Sequence, residues 1–435
     1  VVMLVLVCVG GLSDKYAPYP LARYAMLSPT VLLIGVQPQP ELPEYSAEQI
    51  AFYSEQHPEP ANVPSSRPNI VLVVIESLSS INSGKTSGSV GFLDGFDELA
   101  EEGTLFRHFF ANHQASEGGL IALLSGFPPM HFPTATPYMF DEFAGQPSVI
   151  SEYMETGYFT EFLTNADLGF IGLDRYLGGL GLNRSRGRDE VESFRKAPRI
   201  VFDAPSDAVL YAEGLKTVQE LSGNHRPYFL MLAKTSTHQP YTHPEGGENT
   251  PRAVWDWSMQ QLNRFFSRLS DSNYFEHGIL LITGDHRHMR PVNAVETARY
   301  GDSARARVPL LVIGNGYPKG EVDERFFQQS DLLRMLGKIR QPETRLSPQP
   351  VWVERYNRKY GRIELIDRLS VFDEADLGRR EYRLSVPGNT IEWLDGKPRL
   401  SRHLETRIHA QRSFHQLNRS ASGWEPGIEI PALAE

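Results

Sequence analysis

Residues 68–77 read PNIVLVVIES, six apolar residues in an unbroken run from Ile70 to Ile75, closed by the carboxylate of Glu76. A strand with one face in water would alternate polar and apolar side chains. A run without alternation belongs to a strand covered by helices on both faces. Four more runs of strand length follow, at Phe159–Leu163, Tyr228–Lys234 (YFLMLAK), Gly278–Thr283 (GILLIT) and Val308–Ile313 (VPLLVI). Helical patterns fall between them, around Phe92–Glu102, Leu120–Leu124, Ser206–Leu221, Trp255–Leu269 and Ser330–Ile339. The alternation predicts an α/β domain over residues 68–345, with a mainly parallel central sheet flanked by helices.

The texture changes on both sides of this domain. Residues 37–67 are rich in proline and polar side chains, which predicts a semi-rigid linker holding one short helix. Before it, Val1–Leu12 (VVMLVLVCVGGL) is too short to cross a bilayer, a task that takes roughly 20 apolar residues. With Lys15, Tyr16, Tyr19, Arg23 and Tyr24, which suit a membrane interface, it predicts that residues 1–36 are a truncated membrane anchor with its juxtamembrane segment. A buried helix and a signal-peptide remnant are the alternatives. Beyond Leu346 come short charged segments and an Asp395-Gly396 pair suited to a hairpin turn, which predict a small C-terminal α+β subdomain and tail over 346–435.

Composition narrows the chemistry. A net charge of −10 argues against a nucleic-acid partner, whose phosphates call for a basic surface. The sole cysteine, Cys8, lies in the apolar N-terminal run, so the body has no disulfide, no thiolate nucleophile and no cysteine metal site. Any metal must be held by oxygen and nitrogen.

In an open α/β sheet, ligands bind beyond the carboxyl ends of the strands. The residues that follow the strands are therefore the ones to read. The first run continues into Glu76-Ser77, the YFLMLAK run leads through Thr235-Ser236-Thr237 to His238, and GILLIT ends in Gly284-Asp285-His286. Glu76, Asp285 and His286 would supply two carboxylates and an imidazole to one divalent cation. Ser116 precedes an apolar helical run that stops at Gly126, which puts it at a helix N-terminus, where the dipole favours an anion such as phosphate. A serine hydroxyl beside a metal loses its proton more easily and can act as the nucleophile. Gly118 and Gly119 leave room for a close approach. Alone, Glu76 is more often a helix or loop cap than a ligand and Ser116 an ordinary N-cap; it is the gathering of such residues after the strands that argues for chemistry. His113, Arg287, His288 and Arg290 are loop candidates for a phosphate contact, while Trp255 and Trp257 are read as packing residues and Asp331 as a helix start.

The same stretches carry a resemblance. PNIVLVVIES (68–77), FDELAEEGTLF (96–106), ASEGGLIALLSGFPP (115–129), PYFLMLAKTSTHQPY (227–241), ITGDH (282–286) and ARVPLLVIGNG (306–316) resemble the alkaline phosphatase and sulfatase superfamily. Within it they look like the lipoteichoic acid synthase and phosphoglycerol transferase branch. The resemblance implies that Glu76, Ser116, Asp285 and His286 bind one metal, commonly Mn2+, with Zn2+ or Mg2+ as alternatives. It implies that His238 contacts the substrate's phosphate or leaving group, and that Asp174 and Arg175, within LGFIGLDRYLGGLG (168–181), grip the headgroup. The branch's nearby tryptophan is replaced here by Phe170 or Ile171, and its usual threonine nucleophile by Ser116. The activity so implied is phosphodiester cleavage through a phospho-serine, with a membrane lipid such as phosphatidylglycerol as donor and a glycan, a lipid or water as acceptor. It would take place on the periplasmic side of the cytoplasmic membrane.

Four rivals are weighed on the residues. Sulfatases that generate formylglycine carry Cys or Ser followed by x-Pro-x-Arg, whereas Ser116 is followed by Glu117-Gly118-Gly119-Leu120. Phosphoethanolamine transferases of the superfamily usually carry several disulfides in the soluble domain, and this chain can form none. A phosphodiesterase or phosphatase shares the first half-reaction and stays open. A catalytically inactive scaffold would be expected to have lost one of Glu76, Ser116, Asp285 and His286.

Overall fold

A computed structural model of the chain describes residues 45–54, 60–88, 91–130, 139–347, 350–359, 362–386 and 390–422. The expected membrane anchor, Cys8 and the end of the C-terminal tail lie outside the described residues. Within the linker, Ala47–Ser54 forms the short helix α1.

The first strand, β1 (Asn69–Ile75), occupies an inner position in an eight-stranded sheet of order β4-β3-β5-β1-β6-β7-β2-β8. It pairs in parallel with β5 (Tyr228–Lys234) on one side and β6 (Gly278–Gly284) on the other. β3 (Phe159–Thr164) and β4 (Arg184–Arg186) extend the parallel half. β7 (Leu310–Gly314) runs antiparallel to both β6 and β2 (Thr104–Phe110), and β2 runs parallel to β8 (Glu321–Gln328). One strand is thus reversed in an otherwise parallel sheet. β7 begins two residues later than its apolar run, after Pro309, whose nitrogen has no hydrogen for the ladder.

The unbroken run of β1 splits by parity, as a pleated strand requires. Ile70, Leu72 and Val74 enter one core with Ile121 and Leu124 of α3 (Ser116–Ser125). Val71, Val73 and Ile75 enter a second core with α2 (Asp94–Leu99), α6 (Asp207–Ser222) and α7 (Pro251–Asp271), through Phe96, Leu210, Leu262 and Phe265. Burying each such aliphatic side chain is worth about 1.5–3 kcal/mol, which places β1 inside the sheet rather than at an edge. Trp255 and Trp257 are both buried, as packing residues.

Three strands escape the apolar pattern because charged and polar contacts take the place of apolar ones. In β4, Arg184 and Arg186 both bond the buried Glu161 of β3. In β2 and β8, Arg107 and His108 meet Glu324. The expected helix at Ser330–Ile339 is α-helical only over Gln329–Leu332. The chain then turns, with the Gly337 amide donating to the Asn62 carbonyl of the linker instead of continuing the helical ladder.

The C-terminal part is a four-stranded antiparallel sheet, β9 (Val351–Lys359) to β12 (Glu392–Trp393), followed by the 22-residue helix α9 (Ser401–Ser422). Trp352, Leu369, Val371, Leu384, Leu404 and Ile408 join the same core as Ile70, so this sheet packs as a further layer on the central one. The expected hairpin at Asp395-Gly396 is displaced. Asp395 follows β12 and is held by Arg383 of β11 (Glu381–Ser385), and Gly396, at φ +91°, turns the chain toward α9.

Candidate active site

Three strands end level. Ile75 of β1 lies opposite Lys234 of β5 and Gly284 of β6, so the residues that follow emerge side by side. Glu76, Asp285 and His286 therefore converge, each with a potential ligand atom within 4.8 Å of the others and all three buried. His286 Nε2 lies 3.4 Å from Glu76 Oε1 and 3.5 Å from Asp285 Oδ2.

Ser116 joins them from a different element. Ala115, in extended conformation, precedes the helix as its N-cap, and Ser116 is the first residue of α3. Its hydroxyl is therefore not taken up in capping. Oγ lies 3.0 Å from Glu76 Oε2, to which it donates, and 3.3 Å from His286 Nε2. The two glycines explain how α3 comes so near. A Cβ on Gly119 would stand 2.1 Å from the Asp285 carbonyl oxygen, and one on Gly118 would stand 2.1 Å from the His113 ring. The room they leave is filled by the protein itself.

Each group is oriented by its surroundings. The Ser77 amide and the His286 amide both donate to Asp285 Oδ1 at 2.8 Å, and Ser77 Oγ donates to Glu76 Oε1 at 2.7 Å. Ser77 adopts φ +62°, a left-handed conformation that costs a non-glycine residue of order 1–3 kcal/mol and clusters at functional sites. His286 Nδ1 donates to the Arg287 carbonyl at 2.8 Å, which turns Nε2 toward the carboxylates, the arrangement usual for a metal-binding imidazole. Gln329 Nε2 donates to the carbonyls of Gly284 and Asp285, and its Oε1 accepts the Asn112 amide.

The electrostatics describe a pocket short of positive charge. Burial and the neighbouring Glu76 push the Asp285 carboxyl up to about 7. Burial would lower the His286 imidazole, but Asp285 and Glu76 together raise it to about 10. Burial likewise opposes charge on Glu76, yet His286 holds its carboxyl well below the usual range. Two carboxylates crowd one nitrogen, and a proton answers the charge that a divalent cation would answer better. Two carboxylates, an imidazole whose Nε2 faces inward and can exchange its proton for a metal, and a hydroxyl form a donor set that fits such a cation.

The other predicted residues divide. His238 lies half-buried at the rim, in the turn that follows β5, with its ring edge-on to Phe202 at 4.4 Å. Asp174 and Arg175 lie on α5 (Leu173–Gly179), where Arg175 makes a two-pronged bond with Asp141. That contact leads back to the serine, because Glu117 Oε1 accepts the amides of Met139 and Phe140 next to Asp141. Two expectations are corrected. Arg287 is not presented to a substrate: its guanidinium binds both oxygens of the buried Glu296 and the carbonyls of His288 and Arg290, which leaves it a loop-holding role. His113 is wholly buried against Gly118, with the Ala115 amide donating to its Nδ1, so it supports the start of α3. His288 is half-buried, and burial and Arg287 push its imidazole down to about 4, so it is neutral near pH 7. Asp331 is buried and accepts from Gln328 and Ser347.

Sequence reading missed a second set directly behind the site. Thr237 Oγ1 donates to the Glu76 carbonyl at 2.8 Å, and beside it Lys234, Asp207, Ser236 and Ser258 form a buried polar cluster. One signal was present: a lysine ending an otherwise apolar strand has to find a partner.

Comparison with known proteins agrees with this fold. The family model described as Sulfatase matches residues 68–338. Among solved structures, a protein of the alkaline phosphatase superfamily from Vibrio parahaemolyticus superposes with a TM-score of 0.60 at 20% identity, covering 87% of this chain and 97% of that one. The lipoteichoic acid synthase LtaP from Listeria monocytogenes gives 0.59 at 15% identity, over 87% and 98%. Ps i-CgsB in complex with a neocarrahexaose gives 0.51 at 15% identity, over 82% and 98%. At these identities the structural matches speak for the fold.

Proposed function

The chain belongs to the sulfatase family, and from that premise we propose that it is a metal-dependent enzyme that cleaves a phosphodiester through Ser116. The observation that carries this reading is the place of the Ser116 hydroxyl, within hydrogen-bond reach of both Glu76 and His286 in a buried pocket with excess negative charge. Sulfate chemistry through formylglycine is disfavoured, because the residues after Ser116 lack the modification pattern.

Glu76, Asp285, His286 and Ser116 would hold the cation, with Mn2+ the first choice and Zn2+ or Mg2+ the alternatives. When bound, it supplies a positive charge that eases loss of the serine proton and offsets charge gathering on the phosphoryl oxygens. The chain's own residues do the rest. Glu76 Oε2 accepts the Ser116 hydroxyl hydrogen and so aims the oxygen lone pair out of the pocket. The N-terminus of α3 directs its dipole at the incoming phosphate. Ser116 attacks phosphorus as its proton passes to solvent, the bond to the departing alcohol breaks, and His238 at the rim gives that oxygen a proton, to be replaced by the proton of the acceptor hydroxyl in the second step. An acceptor hydroxyl, from a glycan, a lipid or water, then takes the phosphoryl group and releases Ser116.

For the donor we favour the phosphatidylglycerol headgroup, with the catalytic body on the extracytoplasmic side of a membrane. Support comes from the likeness to a lipoteichoic acid synthase and from the apolar, tyrosine-flanked N-terminal sequence. The test is to incubate the protein with Mn2+ and phosphatidylglycerol and look for a glycerophosphate adduct on Ser116 by mass spectrometry. Ser116→Ala must abolish the adduct; a variant that turns over labelled donor as well as the wild type refutes the nucleophile.

A further inference from the structure

Lys234 ends β5 and Asp207 opens α6, and they meet with both side chains 0% exposed and Nζ 2.9 Å from Oδ2. The pair is fully satisfied. Asp207 Oδ2 also accepts from Ser258 Oγ at 3.0 Å, and Oδ1 accepts from the Ser236 amide at 3.2 Å. The Asp207 amide in turn donates to Ser236 Oγ at 3.0 Å. Lys234 Nζ donates to Ser258 Oγ at 2.7 Å and lies 3.4 Å from Thr237 Oγ1. Burial alone would raise the Asp207 carboxyl, but Lys234 and Ser236 hold it below its ordinary range.

Stability is a poor reason to keep such a pair. Exchanging a buried ion pair for apolar side chains of similar volume is often neutral or favourable, because taking two charges out of water is costly. An apolar pair could not, however, organise the turn that follows β5. That turn hangs on Asp207 through both bonds to Ser236, and it holds Thr237 under the Lys234 ammonium. Thr237 Oγ1 donates to the Glu76 carbonyl, and the His238 amide closes the turn on the Thr235 carbonyl at 3.0 Å. A charge-polarised line therefore runs from Lys234 through Thr237 to the main chain of Glu76.

We infer that the buried Asp207–Lys234 pair is the positioning device of the site: through Thr237 it fixes the main chain that carries Glu76, and through the same turn it sets His238. The inference rests on the reading of Glu76 as a metal ligand. Partners that orient metal ligands typically change affinity by about 10–100-fold when removed.

The test is the affinity of the whole chain for Mn2+, by titration calorimetry after chelator treatment, alongside the melting temperature in chelator. Thr237→Val keeps the shape and deletes the donor; its dissociation constant should rise about tenfold or more with the melting temperature unchanged. Thr237→Ser should restore wild-type affinity, which a merely structural role would not require. Because Asp207→Asn strands the lysine and can unfold the protein, the second variant replaces both partners, Asp207→Leu with Lys234→Met. It should fold and bind Mn2+ more weakly. Wild-type affinity in Thr237→Val and in the double variant overturns the inference and leaves the functional reading standing. A wild-type protein that binds neither Mn2+ nor Zn2+ overturns that reading, and the inference with it.

Discussion

Replacing Gly119 with alanine sets two effects of known size against each other. Inside a helix the change ordinarily favours folding by roughly 0.5–1 kcal/mol. Here the new Cβ would stand 2.1 Å from the Asp285 carbonyl oxygen and 2.8 Å from its carbonyl carbon. Both contacts are to main chain, so no side-chain rotation relieves them. Ordinary contact at about 3.5 Å requires α3 and the end of β6 to part by more than about 1 Å. Overpacking of this kind costs about 1–3 kcal/mol, which at least cancels the gain in helix propensity and leaves a net loss of up to about 2.5 kcal/mol. Ser116 rides on α3 and Asp285 directly follows β6, so the same movement separates the proposed nucleophile from the carboxylate, and a 1 Å error can cost about 100-fold in rate. The assay is Mn2+-dependent turnover of a fluorescent phosphatidylglycerol, with thermal unfolding in chelator alongside it. Gly178→Ala is the control, because its Cβ meets nothing within 4 Å on an exposed helix position. It should be neutral or slightly stabilising with full activity. If Gly119→Ala matches Gly178→Ala in both measurements, the close approach of α3 to Asp285 does not set the geometry of the site.

Other outcomes follow from single contacts. Arg287→Lys should not rescue Arg287→Ala, because a point charge cannot span both oxygens of Glu296. Either change leaves Glu296 buried without its two-pronged partner, at a cost of about 3–5 kcal/mol in denaturant unfolding; a loss below about 1 kcal/mol in Arg287→Ala would refute the loop-holding role. Arg307 Nη1 donates to His108 Nδ1, so the imidazole is neutral and its Nε2 faces Glu324 at 3.1 Å; burial and Arg307 push its pKa down to about 4. With the folded value below the unfolded one of about 6.5, this contribution is present above pH 6.5 and is lost as pH falls from there through about 4. After allowance for partial exposure it amounts to about 2 kcal/mol, and His108→Gln should flatten the fall in denaturant stability over that window by this amount. An unchanged pH profile would show that His108 is not held neutral. Asp141→Asn should loosen Arg175 and raise KM for the lipid donor with little change in kcat; a fall in kcat alone would place Arg175 outside the donor site.

The parts of the fold legible in the sequence are those whose burial is apolar on both faces. β1, β5 and β6 are such strands, and their limits fall within a residue of their apolar runs. β4 is not legible in this way, because its side chains are arginines whose burial is made possible by Glu161, 23 and 25 residues earlier in the chain. Pairing over that distance leaves no periodic mark. The helix α9 is similarly hidden, since its polar composition lacks a strong apolar stripe and much of its fixation comes from polar contacts such as Gln411 to the Pro128 carbonyl.

The site was legible for a related reason and incomplete for a related reason. Level strand ends turn sequence position into spatial position, so the residues after β1 and β6 had to meet once the sheet was parallel and in register. That logic finds Glu76, Asp285 and His286, and Ser116 follows because two glycines in a helix start demand a neighbour. It cannot find Asp207, which opens a helix, or say that Lys234, the last residue of a buried strand, turns toward it rather than toward the cleft. It also misreads Arg287, because a guanidinium beside a predicted phosphate site looks the same in sequence whether it faces the substrate or the carboxylate of Glu296 nine residues later. The residues proposed to touch the reacting atoms are brought together by topology, whereas those proposed to aim them are held by side-chain bonds between elements. Substitutions in the second group should therefore shift affinity and alignment gradually, while substitutions in the first should abolish chemistry outright.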